Sequence, residues 1–335
     1  MKRIAVLTSG GDAPGMNAAI RAVVLASHYF DVQVIGYRHG FNGLLEQEYQ
    51  ILQSSDVNNI IQRGGTILKS ARCQAFTTDE GGRQAADNLT ALKIDALIII
   101  GGDGSFRGAV HLGRFWSGKI LGLPGTIDND INGTDATIGY YTAIDTALES
   151  IDRVRDTADA FERIFLIEVM GRHAGFIGLS AAVCSGAEQV LLPELFTDNL
   201  PDLDSLAGHI QTAQKIRGKC SYIMVVSENI WPGGVMDLAD QLHQRTGIDC
   251  RPVILGHVQR GGSPVSLDRI LASKLGVYAV EAARAGKTGI MIGEHNQQMV
   301  EVPFQDTWNQ AKALDPYLLH IQQETFDLEK NSNNP

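Results

Sequence analysis

Short, β-branched apolar runs alternate with amphipathic stretches along this chain. Ile4–Thr8, Val32–Tyr37, Ala96–Ile100 and Ile120–Leu123 form a first series of such runs, and Ile164–Met170, Tyr222–Ser227 and Val253–Leu255 a second. A strand with one wet face would alternate apolar and polar residues, so these largely unbroken runs predict parallel strands covered on both faces. Between them, apolar residues recur at spacings of three and four, as in Tyr141, Ile144, Leu148, Ile151 and Val154, which predicts helices with one buried face. Alternation of this kind predicts an α/β chain of two doubly wound lobes with mainly parallel sheets and with ligands at the carboxyl ends of the strands. No Pro- or Ser-rich linker separates the two series. The lobes are therefore expected to be joined by direct crossings near Gly139 and Gly256, as 1–138 plus 257–305 and 139–256 plus 306–328, with 329–335 a disordered polar tail.

Length agrees with two lobes, because 335 residues exceed what one compact core holds. A content of 44% hydrophobic and 20% charged residues is that of an ordinary globular protein. The net charge of −10 argues against a nucleic-acid partner, so any bound phosphate must be met by local Arg and Lys and by helix N-termini. No apolar run approaches the roughly 18–20 residues of a membrane span, and no secretory segment follows Met1, so a cytoplasmic protein without a membrane partner is expected. Cys73, Cys184, Cys220 and Cys250 lack metal-ligand spacing and in a reducing compartment read as buried or incidental thiols, and in a cytoplasmic protein the sequons at Asn88 and Asn132 are irrelevant.

The chemistry concentrates in a few segments. Thr126-Ile127-Asp128-Asn129-Asp130 places a hydroxyl and two carboxylates at spacings of two, which an extended segment would point the same way. One carboxylate can take a proton from an alcohol while the other holds a divalent cation, the division of labour that phosphoryl transfer to a hydroxyl requires. Two glycine loops follow predicted strands, Ser9-Gly10-Gly11-Asp12-Ala13-Pro14-Gly15 before a helix near Met16, and Gly101-Gly102-Asp103-Gly104-Ser105 before a helix near Phe106. Glycines let the backbone approach an anion, and the helix that follows offers unpaired N–H groups. Asp103 would repel phosphate by itself, and it makes sense as a residue holding Mg²⁺ through water between phosphates. Neither loop is G-x-G-x-x-G, and Gly286-Lys287-Thr288 is no P-loop but reads as a helix end. Cations cluster at Arg63-Gly64-Gly65-Thr66, Ser70-Ala71-Arg72, Met170-Gly171-Arg172-His173 and Gly256-His257-Val258-Gln259-Arg260. The planar guanidinium of Arg matches phosphate oxygens.

Taken together, GGDAPGMNAAIR, RGGT, GGDGS, PGTIDNDI, EVMGRHAG and LGHVQRGGSP, in that order, closely resemble the bacterial ATP-dependent 6-phosphofructokinases over residues 1–305. The resemblance implies two similar Rossmann-like lobes, one for nucleotide and one for sugar phosphate, a homotetramer, and transfer of the ATP γ-phosphoryl group to the 1-hydroxyl of fructose 6-phosphate with Mg²⁺. It implies Asp128 as general base, Asp103 for the metal, and Gly11, Arg72, Cys73 and Gly102, Asp103, Gly104 and Ser105 at the nucleotide. Thr126, Ile127, Asp128, Met170, Gly171, Arg172, Glu228, His257, Val258, Gln259 and Arg260 match sugar-phosphate positions, with Arg163 and Arg251 reaching in from a neighbouring subunit. Arg72 and Arg172 would stabilise charge on the transferring group. Pyrophosphate-dependent relatives carry Asp and Lys where this chain has Gly104 and Gly125, so both glycines favour ATP, and a regulator that had lost catalysis would not be expected to keep Asp128, Thr126 and Arg172. Around the adenine, Phe41, Cys73, Thr77 and Arg107 differ from what relatives often carry. At the effector site for ADP or phosphoenolpyruvate, Arg21, Arg155, Gly186, Ala187, Glu188, Arg217, Lys219 and Ser221 match. Leu25, Ser54 and Cys220 stand where well-regulated relatives have cations, which implies weakened control.

Overall fold

The computed structural model describes residues 1–196, 201–218 and 221–325, so Lys219, Cys220 and the expected tail at 329–335 lie outside the described residues. The chain divides into two compact units, residues 1–142 with 260–312, and 143–259 with the stretch from Ala313 onward. Along it run β1 (Arg3–Ser9), α1 (Met16–Tyr29), β2 (Gln33–Tyr37), α2 (Phe41–Glu46), β3 (Tyr49–Leu52), α3 (Asp79–Ala91), β4 (Ala96–Gly101), α4 (Asp103–Leu112), β5 (Lys119–Pro124) and α5 (Tyr140–Phe161). β6 (Ile164–Val169), α6 (Phe176–Ser185), β7 (Gln189–Leu191), α7 (Leu203–Arg217), β8 (Tyr222–Ser227), α8 (Gly234–Thr246) and β9 (Cys250–Ile254) follow. The chain closes with α9 (Ser266–Arg284), β10 (Ile290–His295), β11 (Gln298–Pro303), α10 (Asp306–Asn309) and α11 (Pro316–Thr325).

Among the described residues the first unit holds a seven-stranded sheet in the order β11-β10-β5-β4-β1-β2-β3, and the second a four-stranded sheet in the order β7-β8-β6-β9. The second sheet is parallel throughout. In the first, only the edge strands β3 and β11 run antiparallel. Unbroken apolar runs became central strands, as expected, because both faces are covered. All of β4 is buried, and its Leu97 and Ile99 pack with Phe106, Ala109 and Leu112, which recur every three residues on α4. In the second unit Leu166, Met224 and Val226 pack with Ile210 of α7 and Leu238 and Leu242 of α8. Burial of each such side chain contributes about 1.5–3 kcal/mol.

The structure departs from the sequence pattern mainly at edges. The strand expected at Val253–Leu255 runs from Cys250 to Ile254, in register with β6 from Ile164↔Cys250. Pro252 disguises it, and proline is tolerated because β9 is an edge strand whose lost N–H needs no ladder partner. The hairpin of β10 and β11 gave no clear signal, since its two-residue turn uses Asn296 and Gln297, both at positive φ (50° and 62°), in place of a glycine pair. The second glycine loop enters its helix at Asp103, three residues before the expected start near Phe106.

α1 lies along α9, where a Cβ at Gly276 would come within 2.7 Å of Ala22 Cβ. Glycine is thus required there for close approach. The fully buried Asp268 of α9 accepts hydrogen bonds from Gly139 N (2.8 Å), Thr142 N (2.8 Å) and Thr142 Oγ1 (2.5 Å), which ties α9 to the start of α5. Of the described cysteines, Cys250 is buried and its thiol is pushed up to about 11 by burial and then by Asp249, whereas Cys184 is exposed and Cys73 half-buried.

Candidate active site

In the first unit the chain leaves β1 toward β2 on one side, and runs from β4 to β5 on the other. The gap beyond β1 and β4 is therefore the switch point of the sheet, where doubly wound folds bind ligands. Both glycine loops end there. Ser105, buried in the first turn of α4, stands between them, its Oγ 3.6 Å from where a Cβ of Gly10 would lie. Ser70 Oγ donates to Gly10 O (2.6 Å) and draws the segment bearing the exposed Arg72 onto the first loop. Cys73 packs against the core beside it. Arg260 donates from Nη1 to Asp12 O (3.4 Å), and any side chain at Gly11 would meet that nitrogen at 2.7 Å.

α4 presents its N-terminus to this gap from Gly102 onward. Asp103 heads the helix, and both its oxygens accept from Arg107 Nε at 3.0 Å. Arg107 in turn lies over the Trp308 ring, 4.6 Å from its centroid. The spacing of four makes this ion pair legible on a helix, though not in the loop the sequence suggested for Asp103. At Gly104 an added Cβ would meet nothing within 4 Å, whereas at Gly125 it would press on Ile100 and Met16 at 3.0 Å.

The segment leaving β5 is not extended, which corrects the expectation that spacing alone would aim both carboxylates together. It bends at Ile127 and Asp128, where Asp128 N donates to Thr126 Oγ1 (3.2 Å), and Asn129 sits in the left-handed region (φ 54°). Asn is among the few residues that adopt this conformation readily. The turn leaves Asp128 only 7% exposed among Thr126, Ile127 and Asn129, while Asp130 faces solvent. Thr137 braces it by donating from Oγ1 to Thr126 O (2.6 Å) and from N to Asn129 Oδ1 (3.1 Å).

In the second unit the ends of the adjacent strands β8, β6 and β9 carry Glu228, Met170–Arg172 and His257. Glu228 Oε1 accepts from Gly171 N (3.2 Å) and Arg172 N (2.6 Å), so this carboxylate holds a turn with Arg172 in the left-handed region (φ 60°). Asn229 Nδ2 donates to Arg172 O (3.3 Å). The fully buried Gln259 accepts from Met170 N at Oε1 (2.8 Å). His257 and Val258 are exposed on the one-turn helix Gly256–Arg260 that follows β9 and also carries Gln259. Arg163 and Arg251 share one carboxylate, with Nε of each bonded to Asp249 at 3.1 and 2.9 Å, and Arg163 also lies over Phe161. Nothing in the sequence reading singled out Asp249.

The expected effector residues fall in both units. Buried Glu188 pairs with Arg217 (3.3 Å) and Arg155 (3.7 Å) and accepts from Ile223 N (2.8 Å). Arg155 also donates to Ser185 O and Gly186 O, beside the buried Ala187, and Ser221 Oγ bonds to Asp159. Arg21 and Leu25 are half-buried on α1, and Ser54 Oγ bonds to His28 Nδ1 (2.8 Å).

Residues 3–283 match the family model described as Phosphofructokinase. The chain is 50% identical over 323 residues to the ATP-dependent 6-phosphofructokinase 1 of Thermus thermophilus, covering 96% of this chain and 99% of that one. It is 46% identical over 324 residues to the ATP-dependent 6-phosphofructokinase of Macrococcus caseolyticus, covering 97% and 99%. Among solved structures, a phosphofructokinase from Saccharomyces cerevisiae superposes with a TM-score of 0.84 at 34% identity, over 99% of this chain and 47% of that one. A pyrophosphate-dependent phosphofructokinase from Marinobacter aquaeolei shares the fold, with a TM-score of 0.82 at 22% identity over 95% of this chain and 86% of that one.

Proposed function

Because the chain belongs to the phosphofructokinase family, we propose that it transfers the γ-phosphoryl group of ATP to the 1-hydroxyl of fructose 6-phosphate, giving fructose 1,6-bisphosphate and ADP in glycolysis. The observation that carries this reading is the buried Asp128 at the end of β5, next to a switch point flanked by two glycine loops. In this reading Asp128 accepts the proton of the attacking hydroxyl. A carboxylate so placed converts an alcohol, a poor nucleophile at neutral pH, into one able to attack the phosphoryl group. The N–H groups of α4 and the first glycine loop cradle the phosphates. Arg72 and Arg172 neutralise charge on the transferring group, and Glu228, Met170, His257 and Arg260 bind the sugar phosphate. Glu228 takes part with Oε2, since Oε1 is held by two amides.

Mg²⁺ fits the donor set. Among the described residues no cluster of three or more His, Cys, Asp or Glu could cage a metal. Mg²⁺ typically keeps several waters and needs one or two carboxylates plus substrate phosphates, which half-exposed Asp103 satisfies. When bound with ATP it would neutralise charge between the phosphates. Asp103, now paired with Arg107, would be the residue that holds the ion. We further propose a cytoplasmic homotetramer in which Arg163 and Arg251, both paired with Asp249, serve a neighbouring subunit.

Purified protein should phosphorylate fructose 6-phosphate with ATP and not with pyrophosphate, and the reverse preference would overturn the reading. Gly104→Asp sharpens the test. The site has room for a side chain, so the melting temperature should hold, whereas a carboxylate at the first turn of α4 would face the nucleotide phosphates. We expect KM for ATP to rise at least about tenfold, the loss of roughly 1.4 kcal/mol of binding, with KM for fructose 6-phosphate little changed.

Effector control is expected to be weak. Leu25, Ser54 and Cys220 supply no charge, and Arg155 and Arg217 are already shared by Glu188. Each missing charge-assisted hydrogen bond costs roughly 1.5–3 kcal/mol of affinity, and a ligand that scarcely binds cannot shift a two-state equilibrium. At subsaturating fructose 6-phosphate, phosphoenolpyruvate or ADP should change the rate little below millimolar concentrations. Strong sigmoidal inhibition at tens of micromolar phosphoenolpyruvate would sink this expectation, and its appearance in a Leu25→Arg, Ser54→Arg variant would assign the cause.

A further inference from the structure

Lys312 lies at the end of the first unit, 183 residues from Asn129 in sequence, in a stretch that carries none of the motifs above. Its Nζ nevertheless donates to Asn129 Oδ1 (2.7 Å) and to Asp135 O (2.9 Å). Asn129 is the left-handed residue that follows Asp128, and it is 3% exposed. Its Oδ1 also accepts from Thr137 N (3.1 Å), and its Nδ2 donates to Asp135 O (3.4 Å). One ammonium group therefore bridges Asn129, just past the Asp128 turn, and the backbone carbonyl of Asp135.

Placing a lysine there is costly. Burial pulls its pKa down to about 8 against the opposing pull of Asp135 and Asp130. A methionine or leucine would fill the same space without desolvating a charge, so packing alone does not account for a lysine at this position. What the ammonium supplies, and an apolar chain cannot, is a directed hold on the side chain of Asn129. That side chain hangs from the residue whose peptide bond carries Asp128.

We propose that Lys312 is a positioning residue for phosphoryl transfer, holding Asn129 and through it the orientation of the Asp128 carboxylate. This rests on the reading of Asp128 as the base. A base misplaced by about 1 Å can lose on the order of a hundredfold in rate, so the hold is expected to show in kcat and not in binding.

The test is Lys312→Met in the full chain. The expected result is a fall in kcat of roughly 10- to 100-fold, with KM for ATP and fructose 6-phosphate within about threefold of wild type and circular dichroism unchanged at the assay temperature. Combined with Asn129→Gly, which keeps the left-handed backbone but removes the amide, Lys312→Met should cost little further, because both changes break the same link. Hydrogen exchange followed by mass spectrometry should quicken across residues 126–137 and stay unchanged in β4. Should Lys312→Met fail to fold, Lys312→Gln, which keeps a donor, takes its place with a smaller kcat loss expected. A folded variant with wild-type kcat, additive losses in the double variant, or unaltered exchange at 126–137 would each overturn the proposal. If wild-type protein did not phosphorylate fructose 6-phosphate, the kinase reading would fall by itself, and the exchange measurement would still decide whether Lys312 restrains the turn.

Discussion

Asp128→Asn lowers kcat by about two to four orders of magnitude, the usual worth of a general base, while KM for both substrates moves by less than about threefold. The amide keeps the shape of the carboxylate, and the backbone hydrogen bond from residue 128 to Thr126 Oγ1 is untouched, so the turn should persist. What disappears is the ability to take the hydroxyl proton as the oxygen attacks. Because the alcohol does not ionise near neutral pH, nothing in the substrate replaces that function. The residual rate should reflect phosphate binding and metal alone. Steady-state assays at saturating ATP and fructose 6-phosphate check this, and retention of more than about a tenth of wild-type turnover would show that Asp128 is not the base. Equal thermal unfolding of the two proteins would exclude misfolding as the cause.

The largest effect on stability is expected at Asp268. Its carboxylate is wholly buried and accepts from Gly139 N, Thr142 N and Thr142 Oγ1 at the start of α5. Asp268→Ala leaves these buried donors without their acceptor, and an unsatisfied buried donor costs about 1–3 kcal/mol. With some relaxation the sum should reach roughly 3–5 kcal/mol, at the upper end of single-substitution effects. For a chain of this size that is a fall in melting temperature of roughly 4–7 °C. Asp268→Asn, which keeps one acceptor oxygen, should lose less. Glu281 lies exposed on the same helix, and Glu281→Ala should stay within about 0.5 kcal/mol of wild type. A melting temperature for Asp268→Ala within about 2 °C of wild type would mean that the contacts at α5 do not hold the helix.

Local pattern fixes what depends on near neighbours. The central strands β1, β2, β4, β5, β6 and β8 were legible because both their faces are covered, so that apolar side chains occupy consecutive positions. The glycine loops were legible because their geometry needs glycine: Gly15 sits at φ 109°, and a Cβ at Gly101 would meet Ser9 O at 2.5 Å. Motif order carried the family. The edges were harder to see: β9 hides behind Pro252 and the β10–β11 hairpin turns on Asn296 and Gln297, since an edge strand answers to one neighbour and tolerates residues a central strand rejects.

Charge partners across long separations were beyond the sequence for a different reason. Asp268 meets Thr142 across 126 positions and Lys312 meets Asn129 across 183, and no spacing rule relates such pairs because the fold alone brings them together. The same holds for direction. Spacing of two placed Asp128 and Asp130 on one side of an extended segment, but the left-handed turn at Asn129 buries the first and exposes the second. Residue types and their order pointed to a carboxylate of this segment as the candidate for chemistry with phosphate. Which carboxylate is sheltered, and which lysine reaches Asn129 beside it, was decided by tertiary contacts, because burial and hydrogen-bond partners belong to the packed chain and not to any stretch of it.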